Sequence, residues 1–402
     1  MTTINALIFL AGSLAVYWLI PSARARRWMV MLLSLGAVCA IGPMFGVYYL
    51  LMCAFVYWIC RLMSAAAEPS RKPYLITVIA LLVANLSFYK IFGARVMYLN
   101  SNIFPEWSGP LIENSNIIIP IGLSFVTFRL IHYAVETYRE KVPDPGLADF
   151  VSYVLFFPTF LAGPVERFPA FHGQAVSGQR IGLGDFNYGL WRIFRGIIRK
   201  FMIADTIAVF IMPVLQDPLS FSGWAVLLSI YAAAIWLYMD FGGYCDMAIG
   251  VSRLFGFRII ENFNNPFFKS NIALFWRNWH ISVYSWIRDY FYLPFFAYKG
   301  TRAKMYVGIF LTMLLFMLWH APTVNFLVAG IYNGIGLVVW RYFQDIRSKN
   351  RLLSRISALR GMGVVSTIIT FSYVSFGVGI AFGGRGIDFL KGVASSFLSG
   401  IF

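Results

Sequence analysis

The chain has 402 residues, 59% of them hydrophobic and only 12% charged, with a mean hydropathy of +0.70. A soluble domain carries roughly 25% charged residues, so this composition excludes one. The net charge of +16 would point to nucleic acid in a soluble chain; here the bases gather in connections between apolar runs, which makes them a topology signal, and no nucleic-acid partner is expected.

Runs of about 17–25 apolar residues can each cross a bilayer as a helix. Such runs lie near 4–20, 28–43, 44–63, 74–93, 117–135, 150–164, 193–215, 222–240, 305–321, 323–343 and 362–382. The expected fold is therefore all-α and polytopic, with about 11 transmembrane or re-entrant helices. The first run ends at Pro21 and three arginines with no cleavage-like site, so it reads as a retained span and not a signal peptide. Arg24, Arg26 and Arg27 follow it, Arg61, Arg71 and Lys72 follow the third run, and Arg192, Arg195, Arg199 and Lys200 precede another. Arg347, Lys349, Arg351, Arg355 and Arg360 fill the connection near 345–361. The positive-inside rule puts loops 22–27, 64–73 and 345–361 in the cytoplasm and the N-terminus outside. Loops 94–116 and 216–221, with Glu106, Glu113, Asp217 and few bases, fit the outer face. The stretch Pro158-Thr-Phe-Leu-Ala-Gly-Pro164 interrupts its run and predicts a re-entrant or tilted segment. Cys39, Cys53, Cys60 and Cys245 have neither metal spacing nor a disulfide framework and read as buried thiols. No repeat or linker divides the chain, so a single membrane-embedded domain over 1–402 is expected.

Stretch 240–304 departs from the membrane pattern. It holds Asp240-Phe-Gly-Gly-Tyr-Cys-Asp246, Glu261-Asn-Phe-Asn-Asn-Pro266 and a long aromatic segment from Phe275 to Tyr292. Its bases, Arg253, Arg258, Lys269, Arg277, Arg288, Lys299, Arg302 and Lys304, outnumber Glu261 and Asp289 and place it near the cytoplasmic face. Over 275–291 the helical period separates a stripe of Trp276, Trp279, Val283, Trp286 and Tyr290, with His280 and Ile287 at its edge. Arg277, Asn278, Ser282, Ser285, Arg288 and Asp289 fall on the other side. The pattern predicts one interfacial or re-entrant helix with an aromatic underside and His280 turned away from water.

The chain has only 4 histidines, and two of them end Trp-His pairs, Trp279-His280 and Trp319-His320. Imidazole changes charge nearest neutral pH, and an ionisable group within a transmembrane segment is a functional candidate by default. His320 closes a run from Gly308 in which nothing else titrates. Either histidine also reads as a structural one that hydrogen-bonds a neighbouring carbonyl. Asp240 and Asp246 suit orienting a histidine, binding a cation, or simply pairing with nearby arginines. His132 and His172 carry no context that lifts them above background. There is no Gly-rich phosphate loop, His-Glu-x-x-His helix or Gly-x-Ser-x-Gly elbow, and no metal site is expected. Two histidines without an evident nucleophile point to direct transfer, with a histidine as general base toward a hydroxyl.

The chain resembles the membrane-bound O-acyltransferase family in its bacterial branch, over roughly 117–343. The resemblance rests on seven pieces in order: Pro120–Phe128, Phe157–Phe168, Asp240–Gly250, Glu261–Pro266, Phe275–His280, Trp286–Tyr290 and Leu318–His320. It implies many helices around a central funnel, with His320 at a constriction near mid-membrane and His280 as companion. It also implies transfer of a small acyl group, D-alanyl or acetyl, from a cytoplasmic thioester to hydroxyls of a cell-envelope polymer, or to an extracytoplasmic partner protein. The implied donor is a phosphopantetheine acyl-carrier protein or acyl-CoA, with no bound cofactor. The implied setting is membrane lipid of the bacterial cytoplasmic membrane. Donor-binding or orienting roles fall to Asp240, Asp246, Asn278, Arg277, Trp279, Arg288 and Trp319. Two departures stand out. Ala321-Pro322 follows the second Trp-His where the family has glycine, and the chain ends soon after 382 without a long extension. The Phe157–Phe168 run and the length lean toward the D-alanyl-transfer relatives. A proton-coupled transporter or flippase of envelope intermediates is the rival reading, weakened by the lack of an inverted repeat; a purely structural subunit leaves His320 unexplained.

Overall fold

The computed structural model describes residues 3–92, 120–142, 145–178, 180–297, 300–384, 391 and 393–395. Every regular element among them is helical, as expected where lipid leaves the backbone no other partner than itself. The chain divides into two compact units, 1–196 with 244–260, and 197–243 with 261–402. Six helices are long and apolar enough to cross a membrane, so this is a multi-pass membrane protein with fewer such helices described than the 11 apolar runs suggest. The loop expected outside at 94–116 falls beyond the described residues, as do Lys299 and the start of run 117–135.

The first unit contains α1 (Thr3–Leu19), α2 (Ala23–Ile41), α3 (Pro43–Ala65), α4 (Glu68–Phe92), α5 (Leu123–Tyr138), α6 (Leu147–Leu155) and α7 (Phe168–Ser177), and reaches into α8 (Leu183–Ile197). The run 150–164, expected to be interrupted around Pro158–Pro164, is indeed broken: α6 has 9 residues and runs into a 3₁₀ turn at Phe157–Thr159. The ends of this excursion return to one place. Arg27 pairs with Asp149 at the start of α6 at 2.5 Å, and His172 on α7 lies 3.3 Å from the same carboxylate. Arg26 donates to the Gly178 carbonyl at 2.8 Å. Residues 147–178 therefore begin and end beside the 22–27 basic loop.

A broken helix leaves carbonyls without partners, and a buried arginine takes them up. Arg129 on α5, only 1% exposed, donates to the Val154 carbonyl at 2.9 Å, the Thr159 carbonyl at 3.1 Å and Thr159 Oγ1 at 2.5 Å. Ser34 accepts from the Phe157 amide at 3.2 Å. His132 Nε2 accepts from the Phe168 amide at 2.9 Å, so His132 holds the chain's return. Glu166 accepts from the Ile260 amide at 2.8 Å. Each buried group left unpaired costs about 1–3 kcal/mol, so the run Phe157–Phe168 is a structural motif.

The second unit contains a π-helical turn (Ile198–Ala204), α9 (Asp205–Gln216), α11 (Ile272–Asn278), α12 (Ile281–Ile287), a π-helical stretch (Arg288–Ala297), α13 (Arg302–His320), α14 (Val324–Arg347), α15 (Arg351–Ser357) and α16 (Met362–Phe382). Between α9 and α11 runs α10 (Gly223–Leu254), which contributes residues to both units. α13 and α14 form a hairpin in which small residues let the backbones approach: a Cβ added at Gly330 would lie 3.2 Å from Leu314 Cα. α14 and α16 are joined by Tyr332 and Tyr373, whose rings stack at 4.2 Å. Each hydroxyl donates to the other's carbonyl, at 3.1 and 2.5 Å.

Candidate active site

His280 owes its position to a break in the helix. Asn271 caps α11 by accepting from the Leu274 amide at 2.9 Å. The helix stops at Asn278, Trp279 is extended, and His280 takes the left-handed conformation (φ 47°, ψ 48°) before α12 begins. The single helix expected over 275–291 is thus two short helices and a π-helical stretch. The reason is the loop 261–266, whose groups replace the helical ladder. The Asn264 amide donates to the Asn278 carbonyl at 3.1 Å, and the Ile281 amide to the Asn262 carbonyl at 2.9 Å. The Ser282 amide donates to Asn262 Oδ1 at 3.1 Å. A left-handed non-glycine residue costs about 1–3 kcal/mol, although histidine is among the more tolerant; fully buried Asn262 holds it there.

The two faces largely hold despite the break. Trp276, Trp279, Val283 and Trp286 are buried and Arg277 and Arg288 exposed. Ser282 departs, being buried beneath Asn262 instead of facing outward.

His320 is the last residue of α13, about 27 Å of helical rise from Arg302. Ala321 is extended (φ −153°, ψ 135°), because the residue before a proline is kept from helical geometry. Thr323 then caps α14. The expected difference at this turn is thus an extended alanine in place of glycine. The resemblance implies a mid-membrane constriction, and along α13 itself His320 stands at the helix end.

The second unit brings the two histidines together from elements 40 positions apart. Their ring centroids lie 6.0 Å apart. Trp319 borders both, at 4.5 Å from the His320 ring and 5.9 Å from His280. Phe316 also touches both, at 5.2 and 5.9 Å, while Phe241 closes on His280 at 4.7 Å and Phe326 on His320 at 6.0 Å. The imidazoles are not equivalent. His280 is 2% exposed, and burial pushes its imidazole down to about 3, so it is neutral at physiological pH. Its Nδ1 is buried with no hydrogen-bond partner among the described residues, which leaves that atom available to a ligand. His320 is half-buried.

Other sequence candidates fall elsewhere. Trp279 joins a separate aromatic group, stacking on Phe275 at 5.4 Å and meeting Phe263 edge-on at 5.0 Å. Asn278 donates to the Leu274 carbonyl at 2.8 Å and finishes α11. Arg288 bonds Asp289 at 2.8 Å and remains half-exposed. Asp240 pairs with Lys200. Asp246, in the first unit, is 3% exposed and is held by Arg192 at 2.6 Å and by Nη2 and Nε of Arg195 at 2.6 and 2.9 Å. The arginine pairing read from sequence is observed for Asp246, whereas the partner of Asp240 is a lysine. Among the described residues no group of three or more His, Cys, Asp or Glu is able to hold a metal ion. Asn262 escaped the sequence reading, and its only signal was membership of the Glu261–Pro266 motif. Phe241, Phe316 and Phe326 gave none, being apolar residues in apolar runs.

Within this all-α membrane protein the two imidazoles thus lie side by side in an aromatic surround. Residues 39–381 match the membrane-bound O-acyltransferase family, and the chain belongs to that family; it is a membrane-bound O-acyltransferase. It is 33% identical over 375 residues to "Probable alginate O-acetylase AlgI" of Pseudomonas aeruginosa, covering 92% of this chain and 69% of that protein. A teichoic acid D-alanyltransferase of Bacillus subtilis is 30% identical, over 69% of this chain and 72% of its own length. A peptidoglycan O-acetyltransferase of Helicobacter pylori is 28% identical, over 73% and 59%. The identities lean toward the alginate acetylase, against the lean of the motif wording and length. The matched region draws on both units.

If Asn262 is what holds the break, Asn262→Ala should lower transfer by about 5- to 100-fold while expression and membrane insertion persist, since a lost buried hydrogen bond costs about 1–3 kcal/mol. Acyl-transfer assays at matched protein levels test this, and unchanged transfer would assign His280's position to the remaining backbone bonds.

Proposed function

We propose that this protein moves a small acyl group, acetyl or D-alanyl, from a cytoplasmic thioester to hydroxyls of a cell-envelope polymer or of an extracytoplasmic partner protein. The observation that carries the reading is the His280–His320 pair, 6.0 Å apart within one aromatic enclosure. The names of the relatives, which act on alginate, teichoic acid and peptidoglycan, support the acceptor class.

In this mechanism His320 removes the hydroxyl proton as the oxygen attacks the thioester carbonyl. The carbon–sulfur bond breaks, the ester forms, and the proton passes to the departing thiolate. Positive charge gained by His320 is met by the carbonyl end of α13, a favourable position for a cation. His280, kept neutral by burial, offers its unpartnered Nδ1 to the donor or to the polarised carbonyl. A general base contributes about 10²–10⁴-fold, and holding two substrates in one enclosure supplies much of the rest. Trp319 forms the wall shared by both rings, and Trp279 fixes the segment carrying His280. Asp240 and Asp246 are each held by cationic partners within their own unit, Lys200 for the one and Arg192 and Arg195 for the other.

The donor, an acyl-carrier protein or acyl-CoA, meets the basic surface near Arg277, Arg288, Arg302 and Lys304. Arg341 and Tyr306 converge there on Asp345, at 3.2 and 2.7 Å. We read both units as one membrane domain in the bacterial cytoplasmic membrane, N-terminus outside, with His320 approached by the acceptor from the outer side. Labelling of Ser348→Cys by an impermeant thiol reagent in intact cells, in a background without the native cysteines, would overturn that orientation.

His320→Gln retains hydrogen bonding but cannot accept a proton near neutral pH. It should reduce ester-linked acyl content on the polymer by at least 100-fold, in line with the general-base contribution. His280→Gln should be milder, and the two losses non-additive if the rings act together. Near-normal acylation with His320→Gln at matched expression would remove the general-base role.

Arg288→Glu or Lys304→Glu should weaken capture of an anionic donor through lost attraction. The defect should shrink as salt rises, because the Debye length is about 8 Å at physiological ionic strength. Titrating donor concentration at two salt levels separates this from anchoring at lipid headgroups, which predicts unchanged transfer once the variant is inserted.

A further inference from the structure

Helix α15 and its flanks form a surface that the transfer chemistry does not use. The connection between the spans α14 and α16 carries Arg347, Lys349, Arg351, Arg355 and Arg360 and no acidic residue after Asp345. α15 is a defined helix: Asn350 caps it, accepting from the Leu352 and Leu353 amides at 2.9 and 3.1 Å. None of its residues is buried. Leu352, Ile356 and Leu359 recur at helical spacing and are 65%, 41% and 60% exposed. Arg351 and Arg355 flank this apolar strip on the same helix. Among the described residues of the second unit the strip stays exposed.

Two constraints fix the occupant. Both flanking helices are long and apolar enough to cross a membrane, so a connection of 14 residues, 348–361, cannot leave the bilayer surface. An apolar strip edged by arginines matches the boundary between acyl chains and anionic headgroups, whereas a free protein surface would leave the strip wet. We infer that α15 is an interfacial helix that docks on anionic phospholipid, its leucine–isoleucine strip in the acyl boundary and its arginines on the phosphates. This is independent of which acyl group or polymer the protein uses.

The test uses the full-length protein in nanodiscs, with an environment-sensitive dye at Ile356→Cys in a background lacking Cys39, Cys53, Cys60 and Cys245. In discs of phosphatidylcholine with phosphatidylglycerol, the dye should shift to the blue and be quenched by brominated acyl chains. In discs of phosphatidylcholine alone, or at high salt, both signals should fall. Replacing Arg351, Arg355 and Arg360 by Gln should weaken the anionic-lipid response by on the order of fivefold per residue. Water-like emission in the anionic discs would overturn the inference. So would a blue shift that appears only when an acidic carrier protein is added, which would make α15 a protein-docking surface.

Discussion

The structure depends on one constraint: a helix that breaks inside a membrane protein must have its exposed backbone groups taken up by protein. Here that happens twice, by different devices. In the first unit the guanidinium of Arg129 collects carbonyls at the end of α6 and at the following turn, allowing residues 147–178 to begin and end beside one loop. In the second unit Asn262 accepts from the two amides that follow His280, and the Asn264 amide donates to the Asn278 carbonyl before it. Without such partners the cheapest backbone would be an unbroken helix, and His280 would follow the helical stripe. The position of His280 is therefore a by-product of how backbone hydrogen bonds are redistributed.

The sequence made some of this legible. Hydropathy and charge identify the class because lipid imposes long apolar runs and excludes charge from them. The break in the run at Pro158–Pro164 is also readable, because proline and glycine act through local geometry. The Trp276, Trp279, Val283 and Trp286 stripe survives because neighbouring turns keep its periodicity even across the break. What stays hidden is long-range. No periodicity in 275–291 reveals that residue 262 interrupts it, and no local signal sets Phe241 against the ring of His280. Arg129 looks like one more base in a charged sequence until its carbonyl partners, 24–30 positions away, are known. Asp246 illustrates the opposite outcome, since the ordinary expectation of pairing with nearby arginines was sufficient for it.

The environments of the two histidines argue for unequal roles. A base must gain charge during the reaction, and gaining charge is costly wherever solvent and dipoles are excluded. His280 is enclosed on every side, so protonating it would charge a ring with little to answer that charge; its use lies in the neutral form, as a donor or acceptor of one hydrogen bond. His320 is half-buried and ends a helix, where carbonyl groups converge and favour a cation. The family resemblance already sets His320 first and His280 as its companion, without a physical reason. That reason comes from burial and backbone position: the same side chain is suited to proton transfer at the end of α13 and to orientation in the break between α11 and α12. The proposed transfer moves one proton from hydroxyl to thiolate and so needs one base, and of the two environments the half-buried end of α13 is the one better suited to hold the added charge.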